Sequence, residues 1–178
     1  MGSSDARIAV WDPLVRVGHW VLVACVAAAW FTRTGGHDWH ERFGYGALAI
    51  VLLRVLWGFI GPRDARFSGF VRSPGSTLGY AKLVLAAREP RYVGHNPLGG
   101  WMIVVLLIIL AAVGLSGWLS TTDTYWGVKW VADLHEALSD MLLGLIALHL
   151  AGVAVASYRH RENLVAAMVH GRKRPEER

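Results

Sequence analysis

Four long apolar segments constrain this chain more than any other feature of its sequence. They cover residues 15–32, 43–60, 101–119 and 134–158 of the 178. A helix of about 20 apolar residues crosses a hydrocarbon core roughly 30 Å thick. Hydrophobic residues make up 54% of the chain, against about 45–50% in soluble domains. The sequence therefore predicts one all-α domain over residues 1–178, an integral membrane four-helix bundle with a connector at residues 61–100.

Basic residues are distributed unequally between the two sides of these segments. Fourteen Lys and Arg lie near the N terminus, in the long connector and in the C-terminal tail, whereas the two other connectors have only Arg33, Arg42 and Lys129. By the positive-inside rule, both termini and the long connector face the cytoplasm. This topology, together with binding of anionic lipid headgroups, explains the net charge of +5. Nucleic-acid binding is therefore not predicted.

The long connector contains a signal for one short helix. Ser73 and Pro74 are the residue types typical of an N-cap and of the first helical position. We expect this helix to continue to Ala87, to end before Glu89-Pro90 and to lie on the cytoplasmic membrane surface.

Four histidines fall at two matched depths in the predicted bundle. His135 and His149 are 14 residues apart on the fourth segment, so both face one side, about 21 Å apart along the helix axis. With the predicted topology, His40 lies at the level of His135 near the periplasmic side. His19 lies at the level of His149 near the cytoplasmic side.

Paired imidazoles at two depths favour two stacked metal centres. Two imidazoles give a six-coordinate iron site suited to electron transfer, and bundle cores are a usual place for such sites. The sequence therefore predicts one haem between His19 and His149 and a second between His40 and His135. His37 competes with His40 as a ligand, but it lies farther from the apolar segment.

Two further features have alternative interpretations. Glycines near the histidines either give a flat macrocycle access to the backbone or serve close helix packing; they are Gly18, Gly44, Gly46, Gly144 and Gly152. Arg54 follows His40 by 14 residues. It either pairs with a propionate of the cytoplasmic-side haem or extends to the cytoplasmic headgroups.

Several short motifs carry a resemblance over nearly the whole chain. They are Arg-Val-Gly-His-Trp at residues 16–20, Trp-His-Glu-Arg-Phe-Gly-Tyr at 39–45, Arg-Val-Leu-Trp-Gly-Phe at 54–59, Gly-His-Asn-Pro-Leu-Gly-Gly-Trp at 94–101, and Leu-His-Glu at 134–136 followed by His149. In this order they resemble the prokaryotic cytochrome b561 family, which includes the b-type cytochrome subunits of nickel–iron hydrogenases.

The resemblance implies four helices in the bacterial inner membrane and two b-type haems ligated by His19, His40, His135 and His149. The haems are expected to be non-covalent, since the chain has no Cys-x-x-Cys-His motif. It also implies electron exchange between the quinone pool and a redox partner, such as a hydrogenase, a c-type cytochrome or another dehydrogenase.

Three classes of function remain open at this point. The favoured hypothesis is an electron-transfer subunit of a respiratory chain. A second is a stand-alone quinone-linked oxidoreductase acting on superoxide or quinol, for which Arg33, Arg42 and Lys129 would have to form a cationic entrance. A third, a transporter with a histidine relay, is disfavoured because the third segment is unbroken. A quinone site cannot be placed, although Asp12, His95 and His160 are candidate edges.

Overall fold

The computed structural model describes residues 8–35 and 37–175, without the side chain of His37. Within these ranges the chain forms seven helices and two short strands. In chain order they are β1 (Ile8–Ala9), α1 (Pro13–Thr32), α2 (His37–Ile60), α3 (Phe67–Phe70), α4 (Pro74–Leu85), α5 (Pro97–Ser120), α6 (Lys129–Arg159), α7 (Leu164–His170) and β2 (Arg172–Lys173).

The four predicted spans are confirmed, and each forms part of one long helix. Helices α1, α2, α5 and α6 are long and apolar enough to cross a membrane. The helices extend beyond the apolar segments because polar residues continue the helical backbone at their ends. The largest extension at a helix start is in α2, which begins at His37, six residues before its predicted span. The predicted all-α membrane bundle is therefore confirmed.

The chain divides into two compact units. The connector unit contains the N-terminal residues up to Arg16, Trp57–Val104 and the residues from His149 onward. The helical unit contains Val17–Leu56 and Val105–Leu148. Three of the four predicted histidine ligands therefore belong to the helical unit, and His149 is the first residue of its segment in the connector unit.

Contacts within the helical unit join its helices through small residues. A Cβ added to Gly46 of α2 would lie 3.3 Å from Cys25 Sγ of α1. A Cβ added to Gly114 of α5 would lie 3.0 Å from Leu48 Cδ1 of α2. The Tyr45 and Thr121 hydroxyls are hydrogen-bonded at 3.0 Å. Glycine at positions 46 and 114 thus serves close helix packing, which is common between membrane helices.

Helix α4 begins where the sequence predicts. The Ser73 hydroxyl accepts a hydrogen bond from the Ser76 amide at 3.3 Å, and Pro74 is the first helical residue. The helix ends at Leu85, two residues before the predicted end, because Ala87 adopts a left-handed conformation with φ of 54°. Burial, followed by the nearby negative charge of Glu89, raises the pKa of Tyr80 to about 12.

A small β-ladder joins the two ends of the described chain, and the sequence patterns did not predict it. Strands β1 and β2 are antiparallel, with Ile8 opposite Lys173 and Ala9 opposite Arg172. Helix α7 leads into this ladder; the Asn163 side chain caps its start and Gly171, at φ of 79°, ends it. Strands of two residues are too short to show hydrophobic alternation.

Buried charges hold the connector unit together around Glu162. Arg91 Nη2 donates to Glu162 Oε1 and Oε2 at 3.1 and 3.0 Å, and the Arg174 amide donates to Oε1 at 3.0 Å. Lys173 is 5% exposed, and its Nζ lies 5.1 Å from the centre of the Trp11 ring. The basic run at residues 172–174 thus contributes to the fold of this unit.

Candidate metal centre

His40 and His135 face each other in the helical unit. Their ring centroids lie 6.1 Å apart, and the ring planes are nearly perpendicular at 89°. His40 lies near the start of α2 and His135 in the second turn of α6, so two helices supply one imidazole each. Both side chains are half-buried. The described residues contain no cluster of three or more His, Cys, Asp or Glu side chains that could hold a metal ion.

Backbone carbonyls determine the tautomer of both rings. His40 Nδ1 lies 2.8 Å from the Ala29 carbonyl oxygen, and His135 Nδ1 lies 3.1 Å from the Val113 carbonyl oxygen. A carbonyl oxygen only accepts hydrogen bonds, so each Nδ1 carries the proton and donates it. The lone pair of each neutral imidazole is then on Nε2. This is the arrangement in which histidine binds a metal through Nε2 while its other nitrogen is held in place.

Helix α5 forms one wall beside His135 although it has no histidine. Ser116 is 6% exposed, and its Oγ lies 3.1 Å from His135 Nδ1. The same hydroxyl donates to the Val113 carbonyl oxygen at 3.0 Å. A Cβ added to Gly117 would lie 3.0 Å from His135 Cε1 and 3.4 Å from Nδ1. The His135 ring is therefore held by α5 through hydrogen bonds and close packing.

The separation of the two rings fits one iron ion between them. A bond between imidazole nitrogen and a metal ion is about 2 Å long. If both imidazoles held one ion, two such bonds would place the ring centres about 6 Å apart, close to the observed 6.1 Å. A Cβ added to Gly44, one turn after His40 on α2, would have no described atom within 4 Å beyond its immediate surroundings. Both observations fit a flat macrocycle ligated by His40 and His135.

The other predicted site residues lie on the expected helices. His19 is on α1, with its ring edge-on to Trp20 at 5.2 Å between centroids. Arg54 is half-buried on α2, and His149 is half-buried on α6. His19 and Arg54 belong to the helical unit and His149 to the connector unit. Their role in a second centre stays a prediction. The competing His37 side chain lies outside the described residues.

The residues that hold the two imidazoles have at most a weak signal in the sequence. Ser116 and Gly117 are adjacent in an apolar segment without charges. A buried hydroxyl in a membrane span is a usable signal because it needs a hydrogen-bond partner. The carbonyl partners at Ala29 and Val113 have no such signal, since every residue has a backbone carbonyl.

The connector unit contains a separate open cavity of about 300 Å³ beside His95. The His95 ring lies between two aromatic rings, at 4.4 Å from Trp11 and 4.7 Å from Phe70 between centroids. Arg63 and Asp64 also line this cavity. Asp12, a second candidate edge of a quinone site, instead accepts hydrogen bonds from the Val15 amide and the Trp57 indole at 3.1 and 3.3 Å.

One family model matches most of this chain. The model of the prokaryotic cytochrome b561 family matches residues 10–171 of the 178, which include all four long helices. No curated protein and no solved structure matches the chain. The match covers the great majority of the chain and confirms the resemblance seen in its motifs. This protein therefore belongs to the prokaryotic cytochrome b561 family of b-type, electron-transferring membrane cytochromes.

Proposed function

We propose that this protein is a di-haem cytochrome that transfers electrons across the bacterial inner membrane between a redox partner and the quinone pool. The observation that carries the proposal is the His40–His135 pair, with its 6.1 Å ring separation and two Nδ1 donors. Two axial histidines fill both open positions of a haem iron. Such a site favours electron transfer over binding of a third ligand.

The second haem of the proposal is held by His19 and His149. Its support is an equal spacing on two helices. His40 and Arg54 are 14 residues apart on α2, and His135 and His149 are 14 residues apart on α6. Within α6 this spacing separates the two histidines by about 21 Å and keeps them on one face. Arg54 would then donate to a propionate of this second haem, because a guanidinium in a membrane span needs an anionic partner.

When bound, each haem supplies a one-electron couple between ferric and ferrous iron. The chain supplies the conditions for this couple. Ala29 and Val113 fix the imidazole tautomers through their carbonyl groups. The apolar helices exclude water and lower the local dielectric constant, which is how the protein sets the potential of such a centre.

The cavity beside His95 is the proposed site of quinone exchange. Reduction of a quinone to a quinol takes up two electrons and two protons. The aromatic rings of Trp11 and Phe70 suit a flat quinone ring, and His95 and Asp64 can deliver protons from the cytoplasm. The electron donor or acceptor on the other side would be a periplasmic or membrane redox protein.

The superoxide alternative gains no support from the cations it requires. Arg33 lies over the Trp30 ring at 3.7 Å, and Arg42 lies 5.1 Å from the Trp39 ring centre. Lys129 is paired with Asp133 at 2.7 Å. Each of these three cations is thus engaged with a neighbour on its own helix or helix end. We therefore favour the electron-transfer function.

A haem count on the detergent-purified protein tests the proposal. By the pyridine haemochrome assay we expect two non-covalent b-type haems per chain. His40→Ala and His135→Ala should each leave one haem, because each removes an axial ligand of the same iron. His19→Ala and His149→Ala should each leave one haem of the other kind, recognised by its midpoint potential.

His37→Ala is the matched control, since it removes a histidine one turn before His40 on the same helix. It should retain both haems. Loss of a haem in His37→Ala but not in His40→Ala would overturn the assignment of the His40–His135 centre. A wild-type protein without haem, after expression with adequate haem supply, would overturn the proposed function.

A further inference from the structure

We infer that Ser116 and Gly117 of α5 are positioning residues that set the redox potential of the haem ligated by His135. The inference rests on the proposed ligation of this haem. Helix α5 has no histidine, yet it provides every described hydrogen-bond partner of His135 Nδ1. It therefore acts on the iron through the imidazole ring.

The hydrogen bonds at His135 form a triangle of three groups. Nδ1 donates to the Val113 carbonyl at 3.1 Å and lies 3.1 Å from Ser116 Oγ. The Ser116 hydroxyl donates to the same carbonyl, with 3.0 Å between the two oxygens. The Ser116 oxygen can therefore only accept from Nδ1, and the imidazole N–H is shared between two acceptors. Ser116 is 6% exposed, so water does not compete at this position.

This sharing predicts the direction in which Ser116 changes the potential. An acceptor at Nδ1–H raises the basicity of the ligand nitrogen, Nε2. A more basic axial ligand stabilises ferric over ferrous iron and lowers the midpoint potential. Removal of the Ser116 hydroxyl leaves the Val113 carbonyl as the only acceptor. The potential of this haem should then rise.

Gly117 fixes the position of the same ring by contact. A Cβ at this position would lie 3.0 Å from His135 Cε1, closer than a side chain normally approaches. The imidazole would have to move by a few tenths of an ångström to accommodate an alanine. The ring is held at Nδ1, so this movement would strain the hydrogen-bond triangle and the bond to iron. Glycine at 117 is thus required by the imidazole of α6.

Ser116→Ala and its matched control, Ser120→Ala, test the electronic role. Ser120 lies one turn further along α5, and its Oγ donates to the Ser116 carbonyl at 3.0 Å. Potentiometric titration of the purified protein should show an upward shift of one haem in Ser116→Ala. This haem should be the one that is lost in His135→Ala. The midpoint potential of this haem should rise by up to about 59 mV. For a one-electron couple, this shift corresponds to a tenfold change in the ratio of oxidised to reduced haem.

Gly117→Ala and Gly114→Ala test the steric role. A Cβ at Gly114 would press on the Leu48 side chain, at 3.0 Å from Cδ1 and 3.1 Å from Cβ, and not on a histidine. Both variants therefore add one methyl group to the same helix against a close neighbour. Only Gly117→Ala should alter the low-spin ferric electron paramagnetic resonance signal of the His135 haem, because only this methyl group displaces an axial ligand.

The outcomes separate this inference from the proposed function. A protein with two haems whose potentials are unchanged in Ser116→Ala would overturn the inference and leave the proposed function intact. An equal shift in Ser120→Ala would also overturn it, since the Ser120 hydroxyl donates to the Ser116 carbonyl and not to His135 in the described structure. A wild-type protein in which His135→Ala removes no haem would overturn both.

Discussion

Replacing Glu162 with glutamine should destabilise the tail of the connector unit, residues 171–175, so that it detaches more often from the rest of the unit. The Glu162 side chain is 8% exposed, and that of its partner Arg91 is 23% exposed. Glutamine keeps the size of the side chain and one acceptor oxygen. It removes the charge that faces Arg91 and places an amide N–H₂ group against the guanidinium. The Arg174 amide also loses a carboxylate acceptor, now at 3.0 Å.

The size of this effect follows from the burial of the pair. Removing one partner of a buried ion pair costs roughly 3–5 kcal/mol. Arg91 keeps the carbonyl groups of Arg174 and Pro175 as acceptors, at 2.7 and 2.9 Å, and is partly exposed. The cost should therefore be about 2–3 kcal/mol. Since each 1.4 kcal/mol is a factor of ten, the tail should open about 30 to 140 times more often.

Amide hydrogen exchange measured by mass spectrometry can detect this opening. The amides to follow are those of Val10, bonded to the Gly171 carbonyl at 2.9 Å, and of Gly171, bonded to the Ala167 carbonyl at 2.8 Å. Exchange of peptides with these residues should accelerate in Glu162→Gln. Glu136→Gln, at an exposed position of α6, should leave their exchange unchanged. Equal exchange in wild type and Glu162→Gln would refute the structural role of the pair.

The same carboxylate should make this opening dependent on pH. Burial acts to raise the pKa of Glu162, but hydrogen bonds from the Arg174 amide and Arg91, with the charges of Arg91 and Lys173, lower it below its ordinary value of 4.5. A lowered pKa stabilises the folded form above the unfolded value, and this contribution is lost as pH falls through the folded value. Protection of the tail should therefore decrease below about pH 4.5 in wild type. Glu162→Gln should lack this decrease.

Two further predictions concern α2 and α4. Arg54→Leu should weaken or shift the His19–His149 haem in a potentiometric titration and leave the other haem unchanged; an effect confined to the His40–His135 haem would contradict the propionate assignment. Ser73→Ala should destabilise α4 by about 1 kcal/mol, because the hydroxyl that accepts from the Ser76 amide is lost. Exchange of the first-turn amides of α4 should accelerate about fivefold, and an unchanged rate would show that the cap contributes nothing.

The parts of the fold that the sequence predicts are those with a strong local signal. Apolar length gives the four spans, and a serine followed by proline gives the start of α4. The level of His40 and His135 follows from topology, and the rings lie 6.1 Å apart. These features depend on backbone geometry along one helix or on the order of helices across a membrane.

The parts that the sequence does not predict depend on contacts between distant segments. Lys173 is buried beside Trp11, although lysine is rarely buried. Its burial requires the pairing of β1 with β2, which joins residues more than 160 positions apart. The contact of Ser116 with His135 similarly depends on the rotation of α5 about its axis. A uniformly apolar helix does not reveal this rotation.

The two imidazoles of the candidate centre are held by acceptors of different kinds, and this difference determines where the centre can be adjusted. Ala29 lies in the last turn of α1, and its carbonyl accepts from His40 Nδ1 at 2.8 Å and from the Thr32 hydroxyl at 3.3 Å. Val113 lies inside α5, where its carbonyl already accepts from the helix and from Ser116. Substitutions cannot remove a backbone carbonyl, so the Nδ1–H tautomer persists in most variants. In the proposed di-haem protein, Ser116 is the side chain through which the hydrogen bonding of His135, and hence the potential of the iron it would ligate, could change without loss of the ligand.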